Sequence, residues 1–389
     1  MEVVIENAFR GGKCYWALLG IWVLLIVIGL AAYGRQLSEG LCITGMSRDV
    51  TWGLYISQFT FLVGVAASAV MVVLPYYLHN YKAFGRMLIL GEFLAISAVL
   101  MCMLFIFVDL GRPMRVLNVI LYPSPTSLMF WDMCVLSGYL LLNLVIGAAT
   151  FEAERQGLPA PGWAKPLIYL SIPWAVSIHT VTAFLYSGLE ARPFWMTAIL
   201  APRFLASAFA SGPALLILLA LFLRRFTRFD AGREAIGKLA MIVAYAITIN
   251  LFFVLVELFT GLYGGIPHDV AHFEYLFVGL QGHAALVPWM WVCELLTVGC
   301  VVLLLLPRVR RSEGLLAVVC AAVVAAIWIE KGLAMMAAGF IPSPLGHVTD
   351  YTPTAPEIAI TVGVYGVGLL VLTLLYKIVL NVRESLEAT

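Results

Sequence analysis

Apolar residues fall into ten long runs along this 389-residue chain, near positions 16–33, 53–78, 87–108, 128–149, 167–187, 201–223, 238–262, 284–306, 315–339 and 358–380. A helix needs about 20 such residues to cross the hydrocarbon core of a bilayer. The pattern therefore predicts an all-α, polytopic integral membrane protein with ten transmembrane helices. The first run follows the basic stretch RGGKCYW, and its length marks a retained helix rather than a signal peptide. Composition agrees with this reading. The chain is 62% hydrophobic and 12% charged, with mean hydropathy +0.99, whereas a soluble domain carries about 25% charged residues. A net charge of +1 points to no nucleic-acid partner. Soluble chemistry is confined to short loops or to partner chains.

The charge distribution orients the helices. Most of the 23 Lys and Arg residues lie at the two ends and in the connectors after the second, fourth, sixth and eighth runs, as in LRRFTRFDAGREAIGK and PRVRRSEG. The opposite connectors hold Arg35, Arg48, Arg112, Arg115, Arg192 and Arg203. By the positive-inside rule both termini are cytoplasmic and the protein sits in the cytoplasmic (inner) membrane. The outer connectors are rich in Pro, Trp, Tyr, His and Gly. A belt of interfacial aromatics accounts for the rings but not for the charged residues that recur beside proline, in DLGRP and GLEARP. In both, an acid, an Arg and a Pro stand where a helix meets the outer surface, and the residue before proline disfavours the helical conformation.

Two stretches repeat. Aligning SIHTVTAFLYSGLEARP with WIEKGLAMMAAGFIPSP places Ile178-His179 on Ile329-Glu330, Ala183 on Ala334 and Gly188 on Gly339. The offset spans four runs, an even number, which predicts a parallel duplication of four-helix units. The expected organisation is an N-terminal flanking helix and outer connector (1–50), a first four-helix bundle (51–190), a second four-helix bundle (191–345) and a C-terminal flanking helix (346–389).

Ionisable residues inside the runs carry the chemistry. Glu92, Glu257, Glu294, Glu330, Lys331 and His179 all lie within spans, where a charge costs about 2.5–3.5 kcal/mol or more and by default marks a pathway or a site. Inter-helix hydrogen bonding is the plainer alternative for any one of them. Asp109 closes the third run at its outer end, and Glu92 lies about 25 Å below it at 1.5 Å per residue. Tyr55 and Gln58 begin the second run, and His179 falls in the outer half of the fifth. These positions allow an outer-face pocket lined by Asp109, His179, Tyr55 and Gln58, with Glu92 below. A carboxylate, a histidine and a tyrosine beside apolar walls suit a quinone, whose two oxygens need hydrogen-bond partners and whose redox chemistry moves protons. Trp52, Arg112 and Trp131 border the same region.

Metal centres find less support. The seven cysteines are scattered, with no C-x-x-C pair. A bis-histidine haem b needs two facing buried histidines, and His179 alone lies deep in a span. HDVAH has the spacing of a helical metal site but lacks a further ligand. No metal site is expected, and haem b is the lesser alternative to a quinone.

The stretches DVTWGLYISQFTFLVGVAASA, GEFLAISAVLMCMLFIFVDLGRP, FWD and SPLGHVTDYTPTAPEIAITVG resemble the NrfD/PsrC family of membrane subunits, nearest its DsrP/HmcC branch. The resemblance covers nearly the whole chain. It implies two four-helix bundles with flanking helices and a menaquinone or other quinone site near the outer face. It also implies a periplasmic ferredoxin-like iron–sulfur subunit, a multihaem cytochrome c and further membrane and cytoplasmic subunits, in a DsrMKJOP- or Hmc-like complex of sulfur metabolism. Family quinone-site positions map to Asp109, Tyr55 and Phe59. Phe59 cannot bond a headgroup, and Gln58 is the substitute expected. Glu92 and His179 occupy places similar to those of proposed proton carriers in some relatives. The competing readings are a proton-coupled transporter, a haem b conduit and a purely structural anchor.

Overall fold

The computed structural model describes residues 11–158 and 160–388, with side chains as far as Arg383. Ten helices long and apolar enough to cross a membrane are present among these residues, as the hydropathy pattern predicts. They are α1 (Lys13–Glu39), α2 (Leu54–Leu78), α3 (Lys82–Asp109), α4 (Leu128–Arg155), α5 (Ala164–Ser187), α6 (Leu200–Phe226), α7 (Arg233–Gly264), α8 (Val287–Leu305), α9 (Glu313–Ala338) and α10 (Ala355–Arg383). The chain is an all-α, multi-pass integral membrane protein. Ten crossings leave both ends on one side, the terminal face. The connectors after α1, α3, α5, α7 and α9 form the far face.

Helices α2 to α5 pack in sequence, with α5 returning to α2. Helices α6 to α9 do the same, with α9 returning to α6. The two rings meet where α2 lies against α6 and the end of α9, and where α5 lies against α6. Helices α1 and α10 pack on each other, and α10 also lies on α3. Burial follows this arrangement. In their most apolar stretches 72% of α2 and 78% of α3 is buried, against 11% of α1, so α1 is a lipid-facing flank and α2 is the shared wall.

Small residues permit the closest crossing. A Cβ added to Gly212 on α6 would stand 3.1 Å from the Ser68 Cα on α2, where α2 tightens into a 3₁₀ turn over Ala67–Ala69. Without a hydrophobic drive between helices in lipid, such close backbone packing is a main source of association. A second irregularity lies in α9, which widens into a π turn over Trp328–Ala334.

The proline-bearing connectors behave as the local sequence requires. Arg112 (φ −135°, ψ 77°) and Arg192 (φ −130°, ψ 72°) share one extended conformation before proline. Each is followed by a 3₁₀ turn, Pro113–Arg115 and Pro193–Trp195. The α7–α8 connector folds further than its aromatic composition predicts, into a helix over Pro267–Phe277 with proline in its first turn and Asp269 near its N-terminus.

Replacing Gly212 by Val should lower the thermal unfolding midpoint of the detergent-solubilised protein, because overpacking costs about 1–3 kcal/mol. Gly237→Val on α7, where an added Cβ meets nothing within 4 Å, should shift it far less.

Candidate functional site

On the far face the start of α10 is tied to the start of α2 through one carboxylate. Glu357 Oε2 accepts from Gly45 N at 2.7 Å and Thr354 N at 2.8 Å, and Oε1 accepts from the Tyr351 hydroxyl at 2.7 Å. Tyr351 Oη in turn accepts from Leu54 N at 2.7 Å. Thr354 and Glu357 stand at the cap and third positions of α10, so the bond from Thr354 N is half of a capping box. Burial and the Glu357 carboxylate both raise the Tyr351 phenol above its ordinary range, so it stays a neutral donor. The Y-x-P-T-x-x-E stretch is this clamp.

Beneath the clamp a chain of polar contacts links α1, α2 and α3. Tyr55 donates to Gln36 Oε1 at 2.7 Å, and Gln36 Nε2 donates to the Val108 carbonyl at 2.7 Å. Glu357, Asp109 and Tyr33 lie close enough to Tyr55 to interact electrostatically. Asp109 Oδ1 and the Tyr33 hydroxyl are buried and have no hydrogen-bond partner in the protein. One turn below Asp109, Phe105 meets the Tyr365 ring at 5.7 Å. There Gln58 Oε1 accepts from Tyr365 and Trp328, both at 2.8 Å, while its Nε2 is unpartnered.

Buried polar groups are normally satisfied, and those that are not call for an explanation. Here an unpartnered carboxylate oxygen and an unpartnered phenol both lie near Tyr55. The carboxylate can accept from a hydroxyl and the phenol can donate to a carbonyl. Both are the contacts that a quinol or quinone headgroup needs, so the residues fit such a group.

The other expected site residues are dispersed. His179 is buried, donates from Nδ1 to the Ala175 carbonyl at 2.8 Å and leaves Nε2 without a partner. It does not hydrogen-bond Asp109, because α5 packs mainly on α2, α4 and α6 and not on α3, which carries Asp109. Lys331 is its charged neighbour. Glu92 accepts from Thr150 at 3.0 Å near the terminal end of α4. Trp52 stands in an aromatic box, 5.8 Å from Trp195 and 5.6 Å from Tyr186, beside a groove of about 490 Å³ bordered by Gly188, Arg192 and Phe340. Arg112 is exposed and makes no ion pair with Asp109 among the described residues, since the extended turn before Pro113 carries it away from the helix end. Trp131 is 47% exposed and donates to the Pro125 carbonyl. Its neighbour Asp132 is buried and accepts from Thr182 at 2.7 Å.

Sequence reasoning passed over Gln36, Tyr33 and Tyr365, which lie in the flanking helices, and gave no role to Tyr351 and Glu357. For the last two a signal existed, the capping-box spacing. Gln36 follows Arg35 beyond the first apolar run, and no signal marked it.

The second ring holds a separate charged cluster. Arg203 bridges Glu257 and Glu330, meeting Glu330 Oε1 at 2.7 Å, and Asn250 Nδ2 donates to Glu330 Oε2 at 2.8 Å. Lys331, the next residue, turns instead to the Phe204 ring, 4.1 Å from its centroid. A pocket of about 320 Å³ lined by Glu257, Asp269 and His272 opens to this cluster. His272 shares its Nδ1 proton between the carbonyls of Ile341 (2.6 Å) and Ala338 (3.1 Å), and burial holds it below its ordinary range.

Comparison with known proteins gives a consistent result. A family profile described as "Polysulphide reductase, NrfD" matches residues 42–342. A putative membrane subunit of a dimethyl sulfoxide reductase from Halobacterium salinarum is 29% identical, covering 91% of this chain and 88% of its own length. A selenate reductase subunit of Mesobacillus selenatarsenatis is 24% identical, with 94% of each chain covered. The "Menaquinone reductase, integral membrane subunit" of Nitratidesulfovibrio vulgaris is 21% identical over 94% of this chain and 92% of that one.

Two outcomes follow from this geometry. Glu357→Ala removes an acceptor of four bonds, and a bond to a charged group is worth about 1.5–3 kcal/mol. Limited proteolysis should then cut the 341–354 connector well before it does in the parent, while Tyr351→Phe should have a smaller effect. His272 is held neutral, so the unfolded chain binds the extra proton once pH falls below about 6.5. Stability must therefore drop with acidification. Melting midpoints measured between pH 7.5 and 5.5 should fall less for His272→Gln than for the parent.

Proposed function

The chain belongs to the polysulphide reductase NrfD family, and from that premise we propose that it is the quinone-reactive membrane subunit of a respiratory oxidoreductase complex. The pocket under the Glu357 clamp is its headgroup site. The single observation that carries the reading is the pair of buried, unpartnered groups near Tyr55, Asp109 Oδ1 and the Tyr33 hydroxyl, with an apolar groove beside Tyr33. The relative named as a menaquinone reductase subunit supports menaquinone as the quinone.

A bound quinol supplies two electrons and two protons. Asp109 would accept a hydrogen bond from one hydroxyl and take one of the two protons, the other leaving to water at the far face, while Tyr33 would donate to the opposite oxygen and Gln36 holds the Tyr55 hydroxyl. Clamped to Leu54 N and Gly45 N, α10 keeps water out from above. Electrons pass to a partner, because the spacing of cysteines and histidines in this chain favours no metal centre of its own.

The far face is taken as the outer, periplasmic face, since the basic connectors lie opposite it. Its α3–α4 connector, next to Asp109, exposes Met114, Leu117, Ile120, Leu121 and Tyr122. Contiguous apolar surface of this kind marks an interaction site, here for a ferredoxin-like iron–sulfur subunit, with a multihaem cytochrome c and further subunits beyond it. The likeness of the GRP and Y-x-P-T-x-x-E stretches favours a DsrP/HmcC-like complex of sulfur metabolism.

Asp109→Asn keeps the shape of the side chain but removes its basicity. Quinol-dependent electron transfer by the purified complex should fall at least tenfold, as expected when a general base is lost, with subunit composition unchanged on native gels. Unaltered turnover would refute the assignment. Lipid extraction of the native complex should yield a quinone, and a reduced-minus-oxidised spectrum of this subunit alone should lack a haem b band.

A further inference from the structure

The helix in the α7–α8 connector carries the HDVAH stretch, to which the quinone reading gives no part. Its His272 is buried, with 1% of its surface exposed. Nδ1 is committed to the carbonyls of Ile341 and Ala338 at the end of α9, and so carries the ring proton. Nε2, on the opposite edge of the ring, is then a bare lone pair, and it is buried without a partner. His272 lines the pocket of about 320 Å³ that the connector helix forms with the start of α6 and the last turns of α7. Phe194 and Phe273 furnish apolar walls, their rings 6.1 Å apart, and the Phe194 ring lies 5.1 Å from the imidazole. Gly261 admits the Phe273 ring, since an added Cβ would stand 2.3 Å from it.

The polar side chains of this pocket are mostly acceptors. Glu257 gives Oε2 to Arg203, and its Oε1 has no hydrogen bond among the described residues. Asp269 meets no Lys or Arg among them, only His268 Nδ1 at 3.9 Å. Thr260 donates its proton to the Val256 carbonyl at 2.8 Å and offers its lone pairs. Among the lining side chains Thr197 alone has a hydroxyl proton left to give. Charge runs the same way. Arg203 is divided between Glu257 and Glu330, Lys331 turns away to Phe204, and Asp269 adds a third carboxylate. Such a lining calls for a ligand that donates hydrogen bonds and carries positive charge. A metal ion is disfavoured, because the described residues include no group of three His, Cys, Asp or Glu side chains placed to hold one.

We propose that this pocket binds a primary ammonium group, carried by a phospholipid headgroup or by a free amine. A primary ammonium brings three N–H donors and no acceptor, and Glu257, Asp269 and His272 offer an acceptor for each. Aromatic faces such as those of Phe194 and Phe273 attract a cation. The volume lies at the low end of small-ligand pockets and suits a group the size of ethanolamine, with any acyl chains left outside. The site also lies at headgroup depth. Phe259, Leu262 and Tyr263, beside Thr260 and Gly261 on α7, are exposed, and the stacked Phe259–Tyr263 pair belongs to an interfacial aromatic belt. The proposal concerns the second ring and stands apart from the quinone reading.

The test uses the intact complex, stripped of lipid in detergent and offered phosphatidylethanolamine and phosphatidylcholine of matched chains in equal amounts. The choline headgroup carries the same charge but no N–H. Native mass spectrometry should therefore show about tenfold greater retention of phosphatidylethanolamine, as expected for hydrogen bonds to charged groups. Asp269→Asn removes a charge at a half-exposed position, and Ala198→Phe adds bulk to the pocket lining. Each should cut that retention about tenfold with the melting midpoint unchanged. Glu190→Gln, at an exposed acid of the far face outside the pocket, should leave it as in the parent. Equilibrium dialysis with labelled ethanolamine separates the two sources. Retention of phosphatidylethanolamine without binding of ethanolamine assigns the lipid. Binding of ethanolamine to the lipid-free parent, lost in Asp269→Asn and Ala198→Phe, shows that a free amine suffices. Equal retention of the two lipids with no binding of ethanolamine overturns the proposal, and so does binding that both pocket variants leave unchanged.

Discussion

The carboxylate of Glu357 holds the far face together. It joins the α1–α2 connector at Gly45, the α9–α10 connector at Tyr351 and Thr354, and through Tyr351 the first amide of α2. Helix termini leave amides unsatisfied, and at membrane depth water does not meet them cheaply. One acid thus satisfies a helix cap, a loop and a neighbouring helix start, and fixes the distance between α10 and α2. The contacts of Tyr55 and Gln36 lie directly below that tie.

The two rings follow a different logic. They share α2, whose described residues from Leu54 to Val73 are all buried, and a wall buried on every side has no room for large side chains where helices cross. Gly64, Ser68 and Gly212 mark those crossings. The second ring buries Arg203, Glu257, Glu330 and Asn250 as one network. Removing one partner from such a network costs about 3–5 kcal/mol, although the intact network adds little net stability. Its neighbour Lys331 lies with Glu330 in the π turn, a type of irregularity frequent at functional sites.

Asp109 and Tyr55 were legible as candidates because a charge at a helix end and a polar residue at a helix start are local signals. The fit of His179, Gln58 and Arg112 to the same pocket was not, because depth along a helix says nothing about its angular position. His179 matches Asp109 in side of the membrane but sits on a helix facing the other ring. Gln58 is one turn below Tyr55 and is taken up by Trp328 and Tyr365. Gln36, Tyr33 and Glu357 were missed because they come from the two flanking helices, which read as additions yet pack against α2 and α3.

Hydropathy by itself determined the ten helices, since the length of an apolar run and the thickness of a bilayer leave little choice. Local rules also fixed the extended arginines before Pro113 and Pro193. Which helices became neighbours was decided only in the tertiary structure, because every helix here is apolar all round and periodicity cannot assign its faces. The decisive contacts are the Gly29–Gly363 crossing and the Glu357 clamp, both formed between residues more than 300 positions apart. They turn two flanking spans into one side of a pocket, and no local pattern records that.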